Sequence, residues 1–352
     1  MRRALTRSSA IAVVSIALLL VACNHSPPMT EEPPNSNEPI NPGPPVQLTI
    51  NPGEDGEAAI PDHGTIFYTY QIVDTVDQDR CIAILPLSGG TRLREICAQG
   101  DRDDDSTQAY RWSAPLPSDS LAWFRTSSRA GEDFNREALV AIAALKNLTA
   151  FRVLRTFPTT STNSQTHIEP AFLRFVGAGT LAYVGMRFYS RCTDLGCEVV
   201  FGGREVALLD LTLPGTPPLA VPQTDYSSGV AAGPASGDII YTLVGDSRVY
   251  LRTAAGNVST LHDFGGAGIA RDPHLAGGRL VAIVGGNITV GLSDTNEPFQ
   301  REGGGPLLAV NLSNGQELIV MEEFPMRRPV LTPDGQHVVA ELGGNLYRFD
   351  LP

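Results

Sequence analysis

Five cysteines, six histidines and a run of alternating aspartates are the residues of this 352-residue chain best equipped for chemistry. Asp101, Asp103 and Asp105, in the stretch DRDDD, place hard oxygen donors at alternate positions, a spacing that suits Ca2+. The glycine that a calcium loop needs at its sixth position is replaced by Ser106, and the glutamate at its twelfth by Trp112. A solvated acidic loop is therefore the expectation, with Ca2+ the weaker alternative and no other cofactor. The histidines (25, 63, 167, 262, 274 and 337) show no local ligand spacing for zinc. There is no Gly-x-Ser-x-Gly elbow, no His-Glu-x-x-His and no phosphate loop. Gly265-Gly266-Ala267-Gly268 lacks the spacing and the helix of a dinucleotide fingerprint. No catalytic residue is assigned; any site has to be assembled from distant parts of the chain.

The N-terminus carries an address. Arg2, Arg3 and Arg7 precede an apolar run from Ala10 to Leu20, and the sequence then reads Leu20-Val21-Ala22-Cys23. So short a run before a small residue reads as a secretory signal and not as a membrane span. Leu-Val-Ala-Cys resembles the lipobox of bacterial lipoproteins. That resemblance implies a signal at 1–22, lipidation of Cys23 and stable anchoring by more than one acyl chain. Asn24 in place of Asp implies, for the family's Gram-negative members, the outer membrane. Residues 24–45 hold eight prolines and three glutamates, a composition that reads as an extended tether. Fully extended it would reach roughly 70 Å. Loss of residues 1–22, with three arginines and no acid, takes the net charge from −12 to −15. An acidic body of this kind excludes nucleic acid as a partner.

The elements that must carry a site appear at the C-terminus. Pro329-Val330-Leu331, Val338 to Leu342 and Leu346 to Leu351 read as three strands, the first two joined by Thr332-Pro333-Asp334-Gly335. This pattern resembles the repeat of TolB-like and WD40-like β-propellers, and it is specific over the last twenty-odd residues. Its third-strand signature recurs at 82–90, 139–145, 206–211, 249–253 and 307–312. Six equivalent leucines (Leu87, Leu145, Leu211, Leu251, Leu312 and Leu351) then mark six blades, with seven as the alternative. The fold class is all-β, with a propeller domain over 46–352. The last blade lacks an outer strand and Val46 to Ile50 is a strand without a blade, so the two chain ends are expected to pair. Asn135 to Leu154 could instead be one helix, although the alternation of Phe151 to Phe157 favours strands.

In that frame, insertions at 125–136, 189–204 and 293–305 fall between second and third strands and crowd one face. Aligning the repeats on the turn glycine puts Trp112, Arg271 and Arg328 at similar depth near the start of the innermost strands. Glu169, Asp272, His274 and Arg327 lie close by. Such a ring either pairs with itself across the channel or binds an acidic or amide-bearing peptide.

The four cysteines beyond Cys23 fit two disulfides in an exported protein. Antiparallel pairing about Ser88-Gly89-Gly90 puts Cys81 opposite Cys97, and Cys192 and Cys197 share the blade-three insertion at 189–204. The expected role is a monomeric, lipid-anchored scaffold for an envelope protein or peptide. The alternative is a propeller hydrolase or lactonase whose residues come from separate blades.

Overall fold

The structure is a computed structural model describing residues 42–72, 79–97, 106–129, 137–157, 166–193, 196–213, 215–285, 288–292, 298–302 and 304–352. The expected signal, Cys23, the proline-rich stretch to residue 41 and Asp101, Asp103 and Asp105 lie outside them. Among the described residues the only helical turn is a three-residue one at Gly265–Ala267, and everything else regular is strand.

Among the described residues, the antiparallel pairing divides into six four-stranded units. Unit one is Asp55–Ala59, Thr65–Gln71, Arg80–Pro86 and Arg94–Ile96. Unit two is Ser106–Leu116, Ser120–Arg129, Glu137–Ala144 and Arg152–Thr156, so the ambiguous stretch is two strands about a turn at 145–146. Unit three is Thr166–Gly177, Thr180–Thr193, Gly196–Asp210 and Leu219–Ala220. Unit four is Ser227–Ala232, Ile239–Leu243, Arg248–Arg252 and Val258–Asp263.

Unit five takes Ala270–Ala276, Arg279–Val284, Gly305–Asn311 and the first part of Gln316–Leu331. That long strand serves twice. Up to Met326 it pairs with unit five, and from Arg327 it is the inner strand of unit six, against His337–Leu342. Asn345–Asp350 follows, and the N-terminal Val46–Gln47 pairs with it, Val46 against Arg348 and Gln47 against Tyr347. The strand expected over 46–50 is thus shorter. Beyond Gln47 it holds on through Leu48 N–H to the Leu346 carbonyl (2.8 Å) and the Leu346 N–H to Thr49 Oγ1 (2.9 Å).

Because side chains alternate across a strand, each unit presents an apolar face to both neighbours. In unit one Ile66, Tyr68 and Leu85 pack with Val330, Val339 and Leu346 of unit six. Phe67 and Ile82, on the other face, pack with Leu121, Trp123 and Ala141 of unit two. Units five and six repeat this: Val281 and Ile283 meet Val338 and Phe349, while Leu280 and Ala282 meet Ile240 and Val249 of unit four. Burial on both faces explains why these strands read as nearly unbroken apolar runs, such as Val206 to Leu209.

Two of the expected insertions are not irregular loops. In unit three the second and third strands simply run on, pairing from Thr180↔Asp210 out to Thr193↔Gly196. In unit five the insertion is a separate hairpin, Ile288–Leu292 with Pro298–Glu302, which begins before the expected 293. In unit two the second strand continues to Arg129, and 130–136 lies outside the described residues. A backbone ladder, here with one slip between Arg187 and Phe188, satisfies more N–H and C=O groups than a coil of equal length would.

Candidate functional site

Every innermost strand carries one extra residue at the corresponding place. The register slips between Gly56 and Ala59, Arg111 and Ala114, Ala171 and Arg174, Ser227 and Gly229, Arg271 and His274, and Arg327 and Val330. In five of the six the bulged residue is a non-glycine with left-handed backbone: Glu57 (φ 55°), Trp112 (52°), Phe172 (56°), Asp272 (50°) and Arg328 (46°). Each such conformation costs about 1–2 kcal/mol, so the neighbours must over-determine it.

For three of the five they do so by reaching across to the adjacent unit. The turned N–H of Trp112 donates to Glu57 Oε2 at 2.9 Å, that of Glu57 to Glu341 Oε1 at 2.5 Å, and that of Arg328 to Asp272 Oδ2 at 3.4 Å. A carboxylate of one unit thereby holds the strained backbone of the next. Hydrogen bonds to a charged group, at about 1.5–3 kcal/mol each, are of the right size to offset the strain.

Glu57 is the centre of this network and is only 1 % exposed. It also accepts from Arg111 Nε at 2.9 Å and from Thr69 Oγ1 at 2.9 Å, and it pairs with the Arg111 terminal nitrogen. Burial pushes its carboxyl upward, but the guanidinium groups of Arg111, Arg328 and Arg80 outweigh that and hold it at about 2. Arg328 pairs with Glu341 at 3.2 Å and sits 5.0 Å from the centre of the Trp112 ring, which in turn lies 4.5 Å from the Phe172 ring. Gly56 permits the closest approach: a β-carbon there would come within 2.6 Å of Glu341 Oε1.

The expected ring is therefore real in part, with its register corrected. Trp112 and Arg328 do occupy equivalent places, but the unit-five equivalent is Asp272. Arg271 lies one residue earlier, paired with Ile283 and fully buried, and Arg327 likewise precedes its bulge. Alignment on the turn glycine misplaced Arg271 because bulge-to-turn distances differ between units. Aligning Arg111, Arg271 and Arg327, the arginine before each of three bulges, would have recovered the register. Glu57 and Phe172 were missed because nothing local in sequence marks a bulge in a strand, and Glu341 because it lies on the neighbouring strand of unit six. Glu169 sits opposite Met186 in unit three, and its side chain is outside the described residues.

Past the bulges, towards the tight turns, Arg174 and His274 border a cavity of about 130 Å³ together with Ser113. Burial pulls the Arg174 guanidinium down to about 10, against the carboxylates of Glu57 and Asp272, which raise it. Burial, and then Arg174, pulls the His274 imidazole down to about 3, so the ring is neutral. On the opposite face stand the long hairpins, where strand Gly196–Asp210 of unit three contacts Ile288–Leu292 of unit five. Among the described residues no group of three or more His, Cys, Asp or Glu is placed to hold a metal ion.

Cys81 and Cys97 form a disulfide with Cα atoms 4.5 Å apart, in the register expected for that hairpin. Cys192 and Cys197 are backbone partners across the unit-three hairpin, although their side chains lie outside the described residues.

Six two-faced antiparallel units with bulged inner strands define an all-β protein of the propeller class. No protein-family model matches the chain, and no curated protein does. Solved structures with similar backbones include a virginiamycin B lyase from Staphylococcus aureus with quinupristin, 10 % identical over 88 % of this chain and 99 % of that one (TM-score 0.47). The nidogen/laminin complex matches at 14 % identity over 74 % of this chain and 76 % of that one (0.42). The mitotic checkpoint complex matches at 12 % over 98 % and 99 % (0.43).

Proposed function

We propose that this chain is a lipid-anchored envelope propeller that does no chemistry of its own and holds a protein or peptide segment on its hairpin-bearing face. The observation that carries the reading is the contact between the hairpins of units three and five on the face where the blade-to-blade connections also emerge. Two long β-ladders meeting there offer a rigid rim, and binding residues concentrate on such elaborations of a rigid scaffold. The charges behind the rim are engaged with one another, Glu57 with Arg111 and Arg328 with Glu341, as fits a structural ring better than an acid–base site. Anchoring rests on the lipobox-like Leu20 to Cys23 and the tether on residues 24–45, with the outer membrane as the destination.

The test is crosslinking followed by purification of the solubilised full chain. It is compared with a variant whose Ile288–Glu302 hairpin is replaced by a short Gly-Ser turn. A specific envelope protein should be retained by the intact chain and at least tenfold less by the variant. Equal capture by both, or hydrolysis of an ester or lactone lost on a channel substitution, would replace this reading.

A further inference from the structure

The cavity on the tight-turn side of the bulges lies away from the hairpin face and asks for a different occupant. Its polar wall consists of donors. The Leu331 N–H donates to His274 Nδ1 at 3.2 Å, and a nitrogen that accepts carries no proton. The neutral ring must then carry its proton on Nε2, which makes that nitrogen a donor. The Ser113 hydroxyl is fully buried and finds no hydrogen-bond partner among the described residues. Arg174 donates to the Leu173 carbonyl at 3.1 Å and lies 5.7 Å from the Trp112 ring centre. Among the described residues no carboxylate comes within hydrogen-bonding reach of its guanidinium, unlike those of Arg111 and Arg328. The remaining wall is apolar, with Pro61, Pro115 and Phe175.

From this we infer that the cavity is a binding site for one carboxylate group carried on a small apolar stem, with Arg174 as its counter-charge and Ser113 and His274 as supporting donors. A single guanidinium matches a single negative charge, whereas a dianion would leave charge uncompensated in a desolvated pocket. The volume, about 130 Å³, holds a few heavy atoms and no more. The carboxylate has two sources: a free short-chain acid, or the C-terminal carboxylate of a polypeptide inserted from the turn side.

The experiment uses the solubilised full chain and follows Trp fluorescence and calorimetry at constant ionic strength. The titrants are sodium propionate, inorganic phosphate, the peptide acetyl-Ala-Ala-Ala as the free acid, and the same peptide as its amide. Saturable binding of propionate or of the free-acid peptide is expected, weakened at least tenfold in Arg174→Gln. Tighter binding of the peptide acid, with none of the amide, identifies a polypeptide C-terminus; binding of propionate alone identifies a free acid. Should Arg174→Gln not fold by circular dichroism, His274→Asn takes its place with the same loss expected. Absence of saturable carboxylate binding, tighter binding of phosphate, or undiminished binding by the folded variant would overturn the assignment.

Discussion

Glu57 and Trp112, from adjacent units, are joined by a hydrogen bond from the Trp112 backbone N–H to Glu57 Oε2 at 2.9 Å, while the other carboxylate oxygen of Glu57 takes Arg111 Nε at 2.9 Å. One buried side chain thus holds both the left-handed backbone of its neighbour and the guanidinium beside it. Removing it orphans the buried Trp112 N–H and leaves the half-exposed Arg111 guanidinium without its partner. Glu57→Ala is expected to lower the unfolding free energy by about 1.5–3 kcal/mol. Glu54→Ala, at the exposed pair with Arg80, should cost about 1 kcal/mol or less. Denaturant melts of the two variants side by side measure the contrast.

Gly56→Ala tests the same network from the backbone. The added methyl must push the Glu341 carboxylate off the Glu57 N–H and disturb its pair with Arg328. A loss of roughly 1–3 kcal/mol is expected from that overpacking. Gly343→Ala, whose neighbourhood is open but whose φ, unlike that of Gly56, is positive at 57°, reports the cost of backbone strain without overpacking.

Acid should weaken the fold in two stages. The unfolded His274 takes up a proton near its ordinary pKa of 6.5, while the folded ring resists down to about 3, so its contribution is present above 6.5 and lost as pH falls through that window. Glu57 behaves alike between its ordinary 4.5 and about 2, where its contribution, on the order of 3 kcal/mol, disappears. The melting temperature should therefore decline from about pH 6.5 and more steeply below 4.5. His274→Gln should abolish the decline between pH 6.5 and 4.5 and leave below it the part due to Glu57, as a scan of melting temperature against pH would record.

Non-reducing peptide mapping should recover Cys81–Cys97 and Cys192–Cys197 and no crossed pair. Cys81→Ser, which opens a short loop, is expected to cost about 3 kcal/mol. A Cys81–Cys192 link would contradict the strand register of units one and three.

Labelled palmitate should enter the wild-type chain and not Cys23→Ser. Deletion of Val46–Ile50 should destabilise the body, because it exposes the edge of Asn345–Asp350 and removes Leu48 from its core. Deletion of Pro27–Pro45 should leave the melt nearly unchanged. Membrane fractionation and calorimetry read the two effects separately.

Much of the architecture was legible because each strand is buried on both faces. Val206 to Leu209, Leu307 to Val310 and Ile82 to Leu85 announce themselves as apolar runs, and Thr332 to Gly335 announces its turn. The disulfide register followed from counting back from Gly89 and Gly90. The site was less legible. Bulges add a residue without changing composition, so Asp272 was taken for a neighbour of the ring and Glu57 was not singled out at all. Arg174 escaped for a further reason: its significance lies in which carboxylates fail to reach it, and that is a property of three dimensions.

The pairing of Val46 with Arg348 and Gln47 with Tyr347 also has a consequence in time. Synthesis delivers Val46 long before Arg348, and among the described residues no segment between them pairs with it. Throughout elongation the opening strand has to wait, while units one to five acquire their own strands in order. Any ribosome that stops short of the final hairpin yields a chain with two raw edges at once. The opening strand thereby finds its place only once the last hairpin of unit six has been made.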